Sequence, residues 1–128
     1  TVDIITTQFP FWFAKSLNKY KNAENTMPID QHQLVAMMAP RPVYVASATE
    51  DKWADPKGEL MALVEASKVY KLFGAQDLPG MDNFTPEKPF HGDVGYHLRI
   101  GKHDITVYDW MNYCDFADKH FGKPKNQL

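Results

Sequence analysis

The chain has 128 residues, which is enough for one small domain with a hydrophobic core. Hydrophobic residues make up 44% and charged residues 23%, which excludes the disordered and collagen-like classes. With a net charge of −2, no basic stripe and no apolar run near the roughly 18 residues that a membrane helix needs, neither nucleic acid nor membrane is an expected partner.

The first forty residues begin with weak patterns and end with a predicted helix. Residues 1–9 are polar and β-branched without a clear period, and residues 11–20 predict a short helical or irregular stretch. Asp30 is a favourable N-cap for the next helix, which Pro40 ends. The apolar face expected for this helix consists of Leu34, Met37 and Met38.

Two apolar runs predict strands. Residues 42–48 form a nearly continuous β-rich run, which is typical of a strand buried on both faces. Residues 94–100 predict the second strand. A helix from about Gly58 to Phe73 separates the two strands, with Gly74 as its C-cap. Residues 75–93, rich in Pro, Gly and Asp, predict a long loop.

The last predicted helix runs to about Phe121. Thr106 and Asp109 have the spacing of a capping box, which places the helix start. The face expected to pack against the core consists of Val107, Trp110, Met111, Cys114, Ala117 and Phe121. Cys114 is therefore interpreted as a small core side chain and not as a nucleophile.

The order helix, strand, helix, strand, helix predicts an α/β fold with a parallel βαβ unit. Two continuous apolar strands make a poor sheet by themselves, because such strands need neighbours at both edges and helices on both faces. We therefore expect an incomplete sheet, with further strands outside residues 1–128.

Two polar side chains follow the two predicted strands. In open α/β sheets, active sites form at the carboxyl ends of strands. Asp51 lies in the loop after the first strand and His103 in the loop after the second. An acid and then a histidine at successive strand ends is the arrangement of the serine hydrolase triad. The alternatives are an ordinary loop carboxylate and a surface histidine.

Other assignments have less support. His97 lies within a strand and is expected to be packed or hydrogen-bonded there. A metal site made from His97, His103 and Asp104 lacks a supporting helical His pair or Cys cluster. None of the three serines, Ser16, Ser47 and Ser67, has the Gly-x-Ser-x-Gly surroundings of a nucleophile elbow. In the triad order Ser, acid, His, the serine precedes Asp51, so the nucleophile is expected on an upstream strand outside this chain. Residues 1–128 are then expected to be a C-terminal fragment of a single α/β-hydrolase catalytic domain that is inactive alone.

Five blocks of sequence, taken together and in this order, carry a resemblance to a known family. They are residues 9–13 (FPFWF), 27–34 (MPIDQHQL), 39–42 (APRP), 51–59 (DKWADPKGE) and 95–104 (GYHLRIGKHD). In this order they resemble the C-terminal third of bacterial glucuronoyl esterases, carbohydrate esterase family 15. The third block recurs in related hydrolases, whereas the last two blocks are specific to the family.

The resemblance implies an α/β-hydrolase that cleaves esters between (4-O-methyl-)glucuronic acid of glucuronoxylan and lignin alcohols without a cofactor. It places His103 on the catalytic histidine and Trp53 on an aromatic residue that packs against the uronate. Asp51 is then the principal acid, an auxiliary acid or neither, because some members carry a Glu soon after the serine. Trp12 is a second candidate for substrate binding, with core packing as its alternative.

Two further functions stay open at this point. One is another α/β-hydrolase esterase, related to acetyl-xylan esterases. The other is a non-catalytic module that binds carbohydrate through Trp12 and Trp53. For a glucuronoyl esterase, the resemblance implies two partners, the glucuronoxylan–lignin ester and the remainder of the catalytic domain. The implied location is secreted or periplasmic.

Overall fold

The structure is a computed structural model that describes residues 1–76, 78–80, 82 and 84–122. It divides the chain into two compact units, Thr1–Asp30 and the residues from Gln31 onward. None of the helices in these ranges is both long enough and apolar enough to cross a membrane.

The first unit is mostly helical. Helix α1 spans Val2–Gln8, where the sequence predicted no regular element, and 3₁₀ helices follow at Lys15–Tyr20 and Glu24–Thr26. The Thr1 hydroxyl caps α1 by accepting from the Ile4 N–H. Only Thr6 of this helix is buried, so the sequence lacks the apolar period that a half-buried helix would show.

The second unit carries the sheet. Its elements are α2 (Gln31–Ala36), β1 (Val43–Ala48), α3 (Pro56–Lys71), β2 (Phe90–His91), β3 (Val94–Arg99) and α4 (Val107–Phe121). The strand order is β1-β3-β2. Strands β1 and β3 pair in parallel from Val43 opposite Val94 to Ala48 opposite Arg99, with α3 between them in sequence. The predicted parallel βαβ unit and the α/β class are therefore confirmed.

The prediction of two sheet strands was wrong by one short strand. Phe90–His91, inside the predicted 75–93 loop, pairs antiparallel with β3, with Phe90 opposite Tyr96. A strand of two residues is too short to show an alternating pattern, and its pairing depends on the turn through Gly92 and Asp93.

The core lies between α3 and the sheet. Leu60, Leu63 and Tyr70 of α3 meet Val94 and Tyr96 of β3 in one buried cluster. The Tyr70 hydroxyl donates to the main-chain carbonyl of Arg41 at 2.7 Å, so its polar end is satisfied. The prediction for this helix included Leu60 but also the exposed residues Met61 and Leu72.

The prediction of which face of α4 packs against the core was wrong. Its buried side chains are Asp109, Asn112 and Phe116, while the predicted face is largely exposed, Cys114 included. The polar side chains of Asp109 and Asn112 can be buried because both are hydrogen-bonded. The same reversal occurs in α2 and the turn after it, where Leu34, Met37 and Met38 are exposed and the neighbouring Val35 and Ala39 pack against the core.

Candidate active site

Two loops at one edge of the sheet are joined by main-chain hydrogen bonds. Because β1 and β3 are parallel, their carboxyl ends lie side by side. Thr49 N–H donates to the Arg99 carbonyl at 2.9 Å, and Glu50 N–H donates to the Gly101 carbonyl at 2.8 Å. Gly101 N–H in turn donates to the Thr49 hydroxyl at 3.1 Å. The loops that carry Asp51 and His103 are thus held in register.

Asp51 and His103 form a hydrogen-bonded pair across these loops. His103 Nδ1 lies 2.6 Å from Asp51 Oδ2, and the other carboxylate oxygen accepts from the Ala54 N–H at 3.3 Å. The hydrogen bond with His103 lowers the pKa of Asp51, against a smaller opposing effect of desolvation. The carboxylate is therefore ionised at neutral pH and acts as the acceptor. The His103 side chain is 88% exposed, whereas that of Asp51 is mostly covered.

A cavity of about 230 Å³ adjoins the pair. Its wall includes the side chains of Asp51, Ala54, Glu59, Arg99, His103, Ile105 and Tyr113. The Ser47 hydroxyl donates to Glu59 Oε2 at 2.7 Å. Desolvation raises the pKa of Glu59, and the hydrogen bond from Ser47 partly offsets this. The half-buried Glu59 therefore protonates more readily than a solvated carboxylate, unlike Asp51 beside it.

Beneath the loops, a buried polar network connects β1, β3 and α4. The Tyr44 hydroxyl lies 3.0 Å from His97 Nδ1, and His97 Nε2 lies 2.8 Å from Asp109 Oδ1. Because an ionised carboxylate only accepts, Nε2 carries the proton and Nδ1 accepts from Tyr44. Burial lowers the pKa of His97, with Asp109 opposing that effect. His97 is fully buried, as its position in the strand predicted.

Arg99 extends this network to the loop of His103. Its Nε lies 2.9 Å from Asp109 Oδ2, and its Nη2 donates to the carbonyls of Lys102 and Asp104, each at 2.8 Å. Gly101 has a φ of +124°, and a Cβ built there would lie 2.9 Å from Arg99 Nη1. The turn therefore needs glycine for its backbone conformation and for the space that the guanidinium occupies.

The two tryptophans singled out from sequence lie in different units. Trp53 follows Asp51 in the loop between β1 and α3, and it is 60% exposed. Trp12 belongs to the first unit, is 65% exposed and stacks on Phe9 with ring centroids 4.1 Å apart. Both rings have accessible surface, and their assignment to substrate binding stays a prediction.

The three serines have other roles or settings. Ser47 is buried and bound to Glu59, and Ser67 is buried in α3, where its hydroxyl donates to the Val64 carbonyl at 2.7 Å. Ser16 lies in the first 3₁₀ helix of the other unit. No serine is placed at a strand-to-helix turn, the position that a nucleophile elbow requires.

The residues considered for a metal site are engaged elsewhere. His97 pairs with Asp109, and His103 pairs with Asp51. Across residues 1–76, 78–80, 82 and 84–122, no three His, Cys, Asp or Glu side chains are grouped in a way that could hold a metal ion.

Sequence reasoning missed three charged residues at this site: Arg99, Asp109 in its pairing role, and Glu59. Asp109 was predicted only as a capping acid, and the structure confirms that capping box with Thr106. The available signal was a charged residue inside a predicted buried strand, since a buried arginine needs an anionic partner.

Comparisons with known proteins show which family the chain resembles. A family model described as glucuronyl esterase, fungi, matches residues 2–74, more than half of the chain. A carbohydrate esterase named MZ0003, from an unknown prokaryotic organism, is 49% identical over 120 residues, which cover 94% of this chain. A 4-O-methyl-glucuronoyl methylesterase of Wolfiporia cocos is 35% identical over 69 residues, 54% of this chain and 17% of the fungal protein.

The likeness extends to solved structures. A promiscuous CE15 esterase from a marine bacterial metagenome superposes with a TM-score of 0.90 at 49% identity, covering 94% of this chain and 30% of that one. The chain spans 28% of the length of the MZ0003 esterase. The family match over residues 2–74 and the shared fold lead to one conclusion: this chain belongs to the glucuronyl esterase family.

Proposed function

We propose that this chain is the C-terminal part of a serine carboxylesterase that hydrolyses esters between (4-O-methyl-)glucuronic acid of glucuronoxylan and lignin alcohols. In this proposal His103 is the general base and Asp51 is the acid that orients it. The observation that carries the proposal is the 2.6 Å contact between His103 Nδ1 and Asp51 Oδ2 at adjacent parallel strand ends.

The roles follow from which ring nitrogen is engaged. With Nδ1 donating to the Asp51 carboxylate, Nε2 is the nitrogen that takes the proton from a serine hydroxyl and later returns it to the leaving alcohol. As the imidazole becomes imidazolium, the negative charge of Asp51 stabilises it. The 88% exposure of the His103 side chain leaves it accessible to a nucleophile and a substrate.

In this proposal the remainder of the catalytic domain supplies the serine nucleophile. That remainder and the ester substrate are the two proposed partners of this chain. Support comes from the surroundings of Ser47 and Ser67, whose hydroxyls are buried and committed to other acceptors. The share of the relatives' length that the chain spans also supports it.

Trp53 and Trp12 are assigned to substrate binding in the same proposal. Trp53 lies two residues after Asp51 and has exposed ring surface, which suits stacking against a uronate ring. Trp12 offers a second exposed ring in the other unit.

The test is steady-state kinetics of the full-length protein that contains this chain, with benzyl glucuronate as substrate. His103→Ala should lower kcat by roughly 10⁴-fold or more with little change in KM, because triad members act as a unit. Asp51→Asn should lower kcat by a similar order, since the amide favours the wrong imidazole tautomer.

The matched control is His32→Ala, which removes a partly buried imidazole from α2, an element that contributes no residue to the wall of the 230 Å³ cavity, and it should leave kcat within about twofold. A His103→Ala protein that keeps more than about a tenth of the wild-type kcat contradicts the catalytic assignment. Loss with His103→Ala but near-normal kcat with Asp51→Asn would move the acid to a residue outside this chain.

A secreted or periplasmic location is part of the proposal. It follows from the proposed substrate, which is an insoluble polymer that cannot enter a cell. Fractionation of the producing organism, with an antibody against this chain, tests it, and recovery of the protein only in the cytoplasm would contradict it.

A further inference from the structure

Arg99 contacts the His103 loop on both sides of the histidine. Its Nη2 donates to the Lys102 carbonyl and to the Asp104 carbonyl, each at 2.8 Å, and its Nη1 donates to the Ile100 carbonyl at 3.2 Å. Three carbonyls of one turn thus converge on one guanidinium. Arg99 itself is only 6% exposed.

The guanidinium is in turn held by the carboxylate of Asp109. Its Nε lies 2.9 and 3.1 Å from the two oxygens of the buried Asp109 carboxylate. That carboxylate also accepts from the Thr106 N–H at 2.6 Å and from its hydroxyl at 2.7 Å, and from His97. Asp109 is thus held by β3 and by the start of α4, so Arg99 has little freedom to move.

We propose that Arg99 is a positioning residue for the reaction: anchored on Asp109, it fixes the turn 100–104 so that His103 stays in line with Asp51 and the serine. This inference rests on the proposed role of His103 as the base. It assigns to a buried residue outside the triad a function that acts through the triad.

The physical need for such a residue comes from the exposure of His103. A side chain with 88% of its surface in solvent has few packing contacts to hold it, so its position is set by its hydrogen bond to Asp51 and by its backbone. Reaction rates depend steeply on this position, because a displacement of about 1 Å can cost on the order of 10²-fold. Arginine suits the task, since its planar fork presents donors in several fixed directions, whereas lysine offers a single charged nitrogen.

The first experiment compares Arg99→Lys with wild type in the full-length protein, using benzyl glucuronate. Lysine keeps the charge beside Asp109 but cannot also reach the three carbonyls. We expect kcat to fall by on the order of 10²-fold with KM nearly unchanged. Arg41→Ala, which removes the chain's other arginine, is the matched control and should leave kcat unchanged.

A second measurement separates positioning from general damage to the fold. In Arg99→Ala, added guanidinium ion should restore part of the lost kcat, because it can occupy the space that the side chain leaves. The double variant Arg99→Lys with His103→Ala should be no slower than His103→Ala alone, since a residue that acts only through His103 has nothing left to act on.

A spectroscopic measurement and a substitution at a second position complete the test. In proton NMR spectra, the downfield signal of the His103 Nδ1 proton should lose intensity in Arg99→Lys, because the hydrogen bond to Asp51 becomes longer. Gly101→Ala brings a methyl group to within 2.9 Å of Arg99 Nη1 and should lower kcat in the same direction, even if Arg99 variants fail to fold.

The results have distinct meanings. If His103→Ala stays active, the proposed function fails. If His103→Ala is inactive but Arg99→Lys and Gly101→Ala both keep more than half of the wild-type kcat, only the positioning role is overturned. Losses that multiply in the double variant overturn it as well.

Discussion

At the residue scale, the site separates one exposed catalytic candidate from the buried charges beneath it. His103 is open to solvent, whereas His97, six residues earlier, is fully buried with both ring nitrogens engaged. The two carboxylates differ in the same way: Asp51 is hydrogen-bonded to an exposed imidazole, whereas Asp109 accepts from buried donors. In the proposed esterase, the His103–Asp51 pair transfers protons, whereas Asp109 of the other pair anchors Arg99.

The pair of Asp51 and His103 was predictable because strand ends are visible in the sequence and parallel strands bring their ends together. The proposed positioning role of Arg99 was not predictable, although an arginine in a buried strand does indicate an anionic partner. Its partners are three main-chain carbonyls and a carboxylate on α4, and a main-chain carbonyl has no sequence signature.

Trp53 carries a prediction at this scale. Trp53→Ala in the full-length protein should raise KM for glucuronate esters, by an amount equivalent to on the order of 1–3 kcal/mol if stacking on a sugar ring resembles stacking on a base. The thermal melt should change little, because Trp53 is already 60% exposed.

The matched control for Trp53 is Phe73→Ala, which removes a similarly exposed aromatic ring just after the end of α3. A lowered melting temperature with unchanged KM in Trp53→Ala would assign the ring to packing of its own loop, and not to the substrate.

At the element scale, α4 shows why an apolar pattern alone misplaced a helix. Its apolar residues predicted the core face, but the sheet below presents His97 and Arg99, which need a carboxylate. Asp109 supplies that carboxylate, and Phe116 packs with Tyr44 over Gly95, where a Cβ would collide with both rings. The requirement for a buried anion therefore decided which face of α4 turned inward.

The same elements also show what the sequence did predict. The β1–α3–β3 order, the parallel pairing and the capping box of α4 depend on local patterns, and all were confirmed. Strand β2 and helix α1 were missed, because the first is too short to show a period and the second buries only one residue.

Asp109 leads to a pH-dependent prediction for α4. Burial alone would raise its pKa, but hydrogen bonds from Thr106 and His97 and the charge of Arg99 lower it from 3.8 to about 2. A group whose pKa is lower in the folded state stabilises the fold above its unfolded pKa, and this contribution is lost as the pH falls through the folded value. The contribution is roughly 2 kcal/mol at neutral pH.

We therefore expect the difference in unfolding free energy between wild type and Asp109→Asn to be greatest above about pH 4 and to shrink as the pH approaches 2. Urea denaturation followed by circular dichroism at several pH values measures it. Asp115→Asn, on the exposed side of α4, controls for the loss of one charge. A difference that stays constant from pH 7 to pH 2 would mean that the Asp109 carboxylate is not stabilised in the folded state.

At the scale of the whole molecule, α4 carries an apolar face that no described residue of the second unit covers. The exposed residues on it are Val107, Trp110, Met111 and Phe121. Apolar patches of this kind are uncommon on monomeric soluble proteins and usually belong to an interface. In the proposed esterase, the remainder of the catalytic domain would pack there, and the three-stranded sheet would gain further strands.

This arrangement predicts that the 128-residue chain, expressed alone, associates in solution, because its sheet edge and its apolar face lack their neighbours. Light scattering across a concentration series should show species larger than a monomer, with binding of a hydrophobic dye. Replacing Trp110 and Met111 by Glu should reduce both signals, while Lys57→Glu, which changes the net charge by the same amount on exposed α3 surface, should reduce them much less. A monodisperse monomer with a sharp, cooperative melt would instead mean that the chain is a self-contained module, and the proposal that it completes a larger catalytic domain would lose its physical basis.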